Sequence, residues 1–531
     1  MAVEPSSEFN TAEAKVLGRY FTNLDRPVFA LRNLPEVVKG ALFSRYSRTE
    51  KSLRRVLLDE FINEPDSGFE HLAGGAVEDD MVAVRRAEEF YERVLVGYGD
   101  DSVAELAGAH VAVEQVSMLG AKAVEDSRIG ISPLEKSTRY VRFDRLGRDG
   151  RYLYYRGEEL ADPLYAGTMN ALFETYSRLI EPATLAIRER YPQEPGETDR
   201  AWKSATRAKA LDLLRGLLPA GALTNLGVYG NGRAFEYLIT KLSSHELAEC
   251  RRLASDLHHE LSLVIPSFVR RALDEKYGGP AAERMATIRE GTARLARHAA
   301  AAAPQPPGVG LVDFDPDAER KVVAAALFPY SSLPLEEQSA DPDAVLEALL
   351  GERANRRQRA PRALEHAEYT FEITANFAAY RDLHRHRMLT QDRQLLGTRL
   401  GFQVPPGVVD LGIADDFQRA VEGAAAAHAK LEREVGPALA QYLVPMAFGV
   451  RWYVRANLRE IFHLCELRTT PQGHPDYRWI AQEMFRRVNE VHPKLAGYAR
   501  FVDLGPGDEL ERRGSERRLD EKLSALDRKV L

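Results

Sequence analysis

The sequence predicts an α+β protein built from two tandem copies of one unit, and three observations lead there. Alanine-rich, charged stretches of helical period dominate the 531 residues. Strand-like alternation is scarce, the clearest case being Tyr369, Phe371 and Ile373 set between polar neighbours. Ordered blocks of the first half also recur in the second, on either side of a break. There the alanine run 299–303 gives way to Pro304, Pro306, Pro307 and Gly308, which cannot continue a helix. A linker is therefore expected over residues 299–316.

The repeat rests on three blocks in one order. Ala41-Leu42-Phe43-Ser44-Arg45-Tyr46-Ser47 recurs as Ala326-Leu327-Phe328-Pro329-Tyr330-Ser331. Glu105 matches Glu365, and Thr138-Arg139 matches Thr398-Arg399, both 260 positions apart. Pro219, Asn231 and Arg233 match Pro445, Asn457 and Arg459 at the shorter offset of 226. The first copy thus carries a connection 34 residues longer between Arg139 and Pro219. Copies are expected over 37–275 and 320–505. Beyond them, Leu519, Leu523, Leu526 and Val530 fall at helical spacing among charges, so 515–531 is expected as an amphipathic tail helix that caps the body.

Bulk properties limit the function classes. The length exceeds one hydrophobic core, and 44% hydrophobic with 28% charged residues describes a soluble globular chain. A net charge of −7 argues against a dedicated nucleic-acid binder. The two cysteines, Cys250 and Cys465, form no C-x-x-C; one disulfide stays open, although the pattern suits a reducing cytosol. The amino terminus is not a signal peptide and no apolar run is long enough to span a bilayer, so a cytoplasmic protein without a membrane partner is expected. Gly505-Pro506-Gly507 reads as a turn, and His110, His258, His259 and His463 lack partners at metal-ligand spacing. The basic run Arg353–Arg362 has no interleaved aromatics, which makes RNA binding a minor reading.

Candidate chemistry centres on Arg385-His386-Arg387, in a charged stretch read as helical. On a helix Arg385 and Arg387 would point roughly 200° apart and serve two different ligands. Upstream lies Glu365-His366 before the strand-like run; downstream lie Arg399, Asn457-Leu458-Arg459 and Arg468. Eleven residues apart, Asn457 and Arg468 share one helical face about 16 Å apart along the axis. In this order the motifs resemble the flavin-dependent thymidylate synthases, whose hallmark is Arg-His-Arg followed by Glu-x-Ser-x-Arg-Tyr.

The signature is divided between the copies. The first keeps Glu135-Lys136-Ser137-Thr138-Arg139-Tyr140 but has Glu125-Asp126-Ser127 at the offset of the basic triplet. The second keeps the triplet but has Leu395-Leu396-Gly397-Thr398-Arg399-Leu400. Arg215, four residues before Pro219, is matched by Gln441, and Arg468 by Leu242. The resemblance implies a nucleotide site shared between units, so each chain is expected to form an internal pseudo-dimer of antiparallel sheets with flanking helices. One site would be live. The other would set carboxylates where phosphate and flavin need cations, and like charges near 4 Å repel by roughly 4 kcal/mol at intermediate dielectric.

The activity implied is FAD-dependent methylation of dUMP to dTMP, with methylenetetrahydrofolate giving the carbon and NADPH reducing the flavin. By the same resemblance Glu135, Ser137, Arg139, Arg215 and Arg385 would bind the nucleotide. Arg385, His386, Arg387, Asn457, Arg459 and Ser102 would bind FAD, and Arg468 would act on the uracil ring as an oxyanion-type donor. No cysteine nucleophile and no metal is implied. The sequence departs from the pattern in three places: Asp382 replaces the family's glutamine, the spacing from Arg387 to Arg399 is two residues longer, and Gly99-Asp100-Asp101-Ser102 lacks the family's histidine. Alternatives are a related flavoenzyme acting on another pyrimidine nucleotide and a non-catalytic nucleotide- or flavin-binding paralogue. The family assembles as a tetramer of single copies, so a homodimer of tandem chains is expected.

Overall fold

The computed structural model describes residues 8–47, 49–63, 104–296 and 306–530. By contact the chain divides into two compact units. Unit 1 holds Met1–Glu114, Gly120–Glu135 and Asn225–Ala300; unit 2 holds Gln115–Leu119, Lys136–Thr224 and Ala301–Leu531. Unit 2 therefore takes a stretch from within the first repeat and joins it to the second.

In chain order the elements that matter are β1 (Gly108–Ser117), α1 (Met118–Glu125), β2 (Ile131–Glu135), α2 (Pro163–Arg190), α3 (Asp199–Leu214), β3 (Leu223–Asn231) and α4 (Gly232–Ser243). They continue with β4 (Gly308–Phe314), β5 (Glu368–Asn376), α5 (Phe377–Leu383), β6 (Thr390–Arg393), α6 (Ala414–Val435), β7 (Gly449–Asn457), α7 (Leu458–Arg468), α8 (Pro475–Val491) and α9 (Arg513–Val530).

The duplication is visible in the topology. One sheet has the order β1-β3-β2, the other β4-β5-β7-β6, and the β5-β7-β6 core repeats the first arrangement. Each pairing with a recorded register is antiparallel, with β5 and β7 matched from Glu368–Asn457 to Asn376–Gly449. Alternation along β5 buries Tyr369, Phe371 and Ile373, and along β7 it buries Val450, Trp452 and Val454. Both copies start the helix after the last strand with the same cap: Asn231 accepts from Ala234 N at 2.8 Å and Asn457 from Glu460 N at 3.0 Å. Both also keep one ion pair, Arg233–Glu105 at 2.9 Å and Arg459–Glu365 at 2.7 Å.

The longer connection of the first copy holds α2 and α3, where the second has the single long helix α6. Asp162 caps α2 through Leu164 N and Tyr165 N, Thr198 caps α3 through Ala201 N, and Gly436 ends α6 at φ +84°. The tail forms α9, held to unit 2 by Arg513 on Glu194 and Glu197 and by Arg200 on Asp520.

Within unit 2 the two proline loops meet reciprocally. Pro219 bridges Pro445; Ala220 N donates to Val444 O and Met446 N to Leu218 O, both at 2.9 Å. Gly221 N donates to Tyr442 O at 2.7 Å and Ala447 N to Gly216 O at 3.0 Å. At the repeat offset of 226 each bond is the mirror of another, the pattern of a two-fold contact.

Three details differ from the sequence-based expectation. The Arg-His-Arg triplet is not helical: α5 stops at Leu383 and the triplet lies in the turns that follow. Residues 308–314, inside the expected linker, form edge strand β4, because Val309 packs down while its backbone pairs with β5. The registers of the copies also slip by one residue. Met118 N bonds Ala222 O, whereas Phe377 N bonds Phe448 O, so an extra residue sits in β1, where Gln115 takes φ +55°. The triplet is thus matched by Asp126, Ser127 and Arg128 rather than by Glu125, Asp126 and Ser127.

Candidate functional site

The strongest concentration of buried charge in unit 2 joins arginines from both repeats. Arg139, in the loop after β2, pairs with Asp212 of α3, its Nη2 at 2.6 Å from Oδ2 and its Nε at 2.8 Å from both oxygens. Arg215 follows α3, is 3% exposed, and donates through Nη1 to Asp382 Oδ2 at 2.9 Å. Its Nη2 is buried without a hydrogen-bond partner. Asp382 lies on α5, three residues before Arg385. Arg468 ends α7, with its guanidinium 5.4 Å from the Tyr477 ring of α8.

The electrostatics tie these groups into one cluster. Burial alone would push the Asp382 carboxyl up, but Arg215, Arg139, His474 and Arg468 together hold it well below the usual carboxylate range. Asp212 behaves alike: burial is outweighed by Arg139, His474 and Arg215. Burial lowers Arg468, opposed by Asp382 and Tyr477 and aided by neighbouring Arg385. His474 caps α8 and is kept neutral by burial and by Arg215, against the pull of Asp476. Three guanidinium groups, Arg139, Arg215 and Arg468, therefore act on half-buried Asp382, and Arg139 and Arg215 act also on buried Asp212, while Arg385 lies beside Arg468 at the exposed rim and Asp476 is held at the edge by Asn376 at 2.6 Å. Among the described residues Arg385 makes no hydrogen bond or ion pair. Net positive charge with free donors suits a phosphate monoester. Beside the cluster opens a cavity of about 410 Å³, with Asp212, Arg215 and His474 on its polar wall and Leu213, Phe417, Met446 and Trp479 on its apolar wall.

Not every candidate joins this cluster. Ser137 is in the same loop, its Oγ accepting from Arg139 N at 3.2 Å. Glu135 belongs to unit 1, where it and Glu125 pair with the fully buried Lys122, Glu135 at 3.0 Å. His386 is 5% exposed and uses both ring nitrogens, one toward Glu460 and one toward Arg468. Asn457 is occupied as a helix cap, and Arg459 binds Glu365 and the Ala360 carbonyl. Arg385 and Arg387 are exposed. Ser102 lies outside the described residues.

The equivalents in the other copy are spent on structure. Arg399 is exposed and paired with Glu432 at 3.3 Å, and buried Gln441 accepts from Leu396 N at 3.0 Å. Arg353, from the basic run, forms a buried two-pronged pair with Glu466 at 2.7 Å. Both cysteines are buried and unbridged, and burial pushes the Cys465 thiol far up, away from a nucleophilic thiolate at neutral pH. No helix among the described residues is long and apolar enough to cross a membrane.

Sequence reasoning passed over Asp212, His474, Tyr477 and Glu460. Asp212 stands three residues before Arg215, a same-face helical spacing, and Glu460 three residues after Asn457. Those spacings were the available signals. His474 and Tyr477 carried none.

Comparison with known proteins gives a consistent result. The family model for thymidylate synthase complementing protein matches residues 54–267 and again 310–494. A UPF0159 protein of Chlamydia muridarum is 44% identical over 516 residues, covering 94% of this chain and 97% of that one. A UPF0159 protein of Thermoplasma acidophilum is 33% identical, covering 88% and 95%. A flavin-dependent thymidylate synthase of Geobacter sulfurreducens is 30% identical over 215 residues, 38% of this chain and 87% of that one. Among solved structures, a UMP/dUMP methylase from Streptomyces cacaoi matches at 19% identity and a TM-score of 0.31, covering 38% of this chain and 98% of that one.

Proposed function

The chain belongs to the thymidylate synthase complementing protein family, as a diverged tandem duplication, and from that premise we propose that it methylates a pyrimidine nucleotide of the dUMP type at a composite site within unit 2. The observation that carries this reading is the convergence of Arg139 and Arg215 from the first repeat with Asp382, Arg385 and Arg468 from the second. The reciprocal proline-loop contact supports an internal pseudo-dimer, and a homodimer of tandem chains would complete the assembly.

In this reading Arg385 and Arg139 take the nucleotide phosphate, with Ser137 at the loop turn. Arg215, anchored by one nitrogen on Asp382, offers its unpartnered Nη2 to the ligand. Arg468 donates to the ring oxygen on which negative charge grows as the ring carbon attacks the incoming one-carbon unit. Such a donor is worth about 2.7–4 kcal/mol in the transition state. The apolar wall of the cavity excludes water.

The cofactor fit is partial. Exposed Arg387 and Arg385 suit the diphosphate of FAD, and Arg459, 33% exposed, is near enough to the surface to contribute. His386 does not fit as a contact, because both its nitrogens are engaged. Bound FAD would supply the hydride, methylenetetrahydrofolate the carbon, and NADPH the reducing equivalents. By sequence the repeat offers no second set of these groups: Gln441, Leu242 and Asp126 stand at the positions equivalent to Arg215, Arg468 and Arg385.

One observation favours a second reading, a related enzyme on another pyrimidine nucleotide. Ionised Asp382, standing where the family has a glutamine, only accepts hydrogen bonds, so it suits the amino group of a cytosine or the N3–H of a uracil and cannot donate to the O4 carbonyl that marks uracil, as a glutamine could. Incubating the chain with FAD, NADPH and methylenetetrahydrofolate, and separately with dUMP, UMP, dCMP and CMP, tests both. A product heavier by one methyl group from dUMP supports the main reading, and one from another nucleotide alone supports the second. A colourless protein that methylates none overturns both.

A further inference from the structure

We propose that His386 and Glu460 are positioning residues that fix the Arg468 guanidinium for its ligand, an inference that rests on the assignment of Arg468 to the nucleotide site. Arg468 Nε donates to His386 Nε2 at 2.9 Å. An arginine only donates, so Nε2 must be the unprotonated nitrogen and the ring proton sits on Nδ1. That Nδ1 is 2.9 Å from Glu460 Oε1, in position to donate to it. One hydrogen-bond pattern satisfies the whole chain: guanidinium to neutral imidazole to carboxylate.

The consequence is geometric. With Nε committed to His386 and a further hydrogen bond shared with the Tyr477 side chain, Arg468 is held from two sides and still has N–H donors on its terminal nitrogens for a ligand. His386 and Glu460 are 5% and 9% exposed, so water competes little for these bonds. The charged and titratable groups facing His386 are Glu460, Arg468 and His463, whose ring lies 5.5 Å away. Protonating His386 would turn Nε2 into a donor against a donor and release the arginine.

The repeat supplies an internal control. The first copy retains the structural features of this region, the asparagine cap and the Glu–Arg ion pair. It has none of the three relay groups: Ser127, Ala234 and Leu242 stand in place of His386, Glu460 and Arg468. Residues needed only to hold the helix would be expected in both copies. These three are present together or absent together, as a relay serving Arg468 requires.

The test uses the full chain with nitrogen-15 histidine, reading the His386 tautomer by NMR, and dUMP titrations by calorimetry. The wild-type ring should carry its proton on Nδ1, and E460Q, which replaces the carboxylate by a weaker amide acceptor, should weaken that tautomer preference and make the ring still harder to protonate. Affinity for dUMP should fall about tenfold in R468A and in E460Q, with the double variant no weaker than R468A alone. H386Q, whose amide can accept from Arg468 and donate to Glu460, should keep most of the affinity that H386L loses. A wild-type ring protonated on Nε2, or additive losses in the double variant, overturns the proposal. A wild-type chain that binds no dUMP while the ring shows the expected tautomer and its response to E460Q overturns the functional reading and leaves the positioning intact.

Discussion

Asp382 accepts a hydrogen bond from Arg215 at 2.9 Å across 167 residues of chain, joining the second repeat to the first. The pair sets the charge of the cluster, because Asp382 is also the carboxylate that Arg139 and Arg468 feel. Without it three guanidinium groups would repel one another.

Asp382→Asn should therefore destabilise the chain by about 3 kcal/mol, since buried Arg215 loses its hydrogen-bonded carboxylate and keeps only the weaker pull of Asp212 and Asp476. Urea unfolding of the two proteins measures this. A change below 1 kcal/mol would show that water, reaching the 19% exposed side chain of Asp382, already screens the pair.

The reciprocal proline contact is close-packed at Gly221, where a Cβ would meet the Tyr442 carbonyl oxygen at 2.8 Å. Gly221→Ala is expected to cost about 1–3 kcal/mol by overpacking. Gly227→Ala, where a Cβ meets nothing within 4 Å in a paired strand, is the matched control and should be neutral or stabilise by up to about 1 kcal/mol, since alanine keeps the backbone pairing and loses less conformational entropy. Equal melting temperatures for the two variants would contradict the contact.

Stability should fall as pH drops below about 6.5. Burial keeps His386, His428, His474 and His492 neutral in the folded chain, so the unfolded chain takes up protons first. Their contribution is complete above 6.5 and is lost on acidification. Asp212 and Asp382, held down despite their burial, act in the same sense at lower pH, adding stability above about 3.8 that fades below it. Thermal melts should be level from pH 8 to about 6.5 and decline from there to pH 5; a profile flat throughout would mean that these histidines open to solvent.

Both thiols should resist alkylation in the native chain and react only after unfolding. Cys250 and Cys465 are fully buried, and burial raises the Cys465 thiol out of the reactive range. Rapid labelling of the folded protein by iodoacetamide would contradict this.

What the sequence revealed was periodic or repeated. The alternation of Tyr369, Phe371 and Ile373 marked β5, and the paired offsets anticipated the shared strand order. What it hid was set by packing between distant segments. Arg139 finds Asp212 73 residues away, and no local pattern records that choice. The basic triplet has the composition of a helix, yet the chain turns after Leu383 and buries His386 between Glu460 and Arg468. A bulge at Gln115 shifts the register by one residue, which weak sequence similarity could not reveal. Edge strand β4 follows a run of prolines and is recognisable only by its pairing with β5.

The most direct test is dUMP affinity, by calorimetry, in two variants at equivalent positions of the repeat. Arg139→Ala removes a member of the cluster and should weaken binding at least tenfold, whereas Arg399→Ala removes an exposed residue paired with Glu432 and should leave binding unchanged. Equal losses in both variants, or no loss in Arg139→Ala, would contradict a single site assembled from the two repeats.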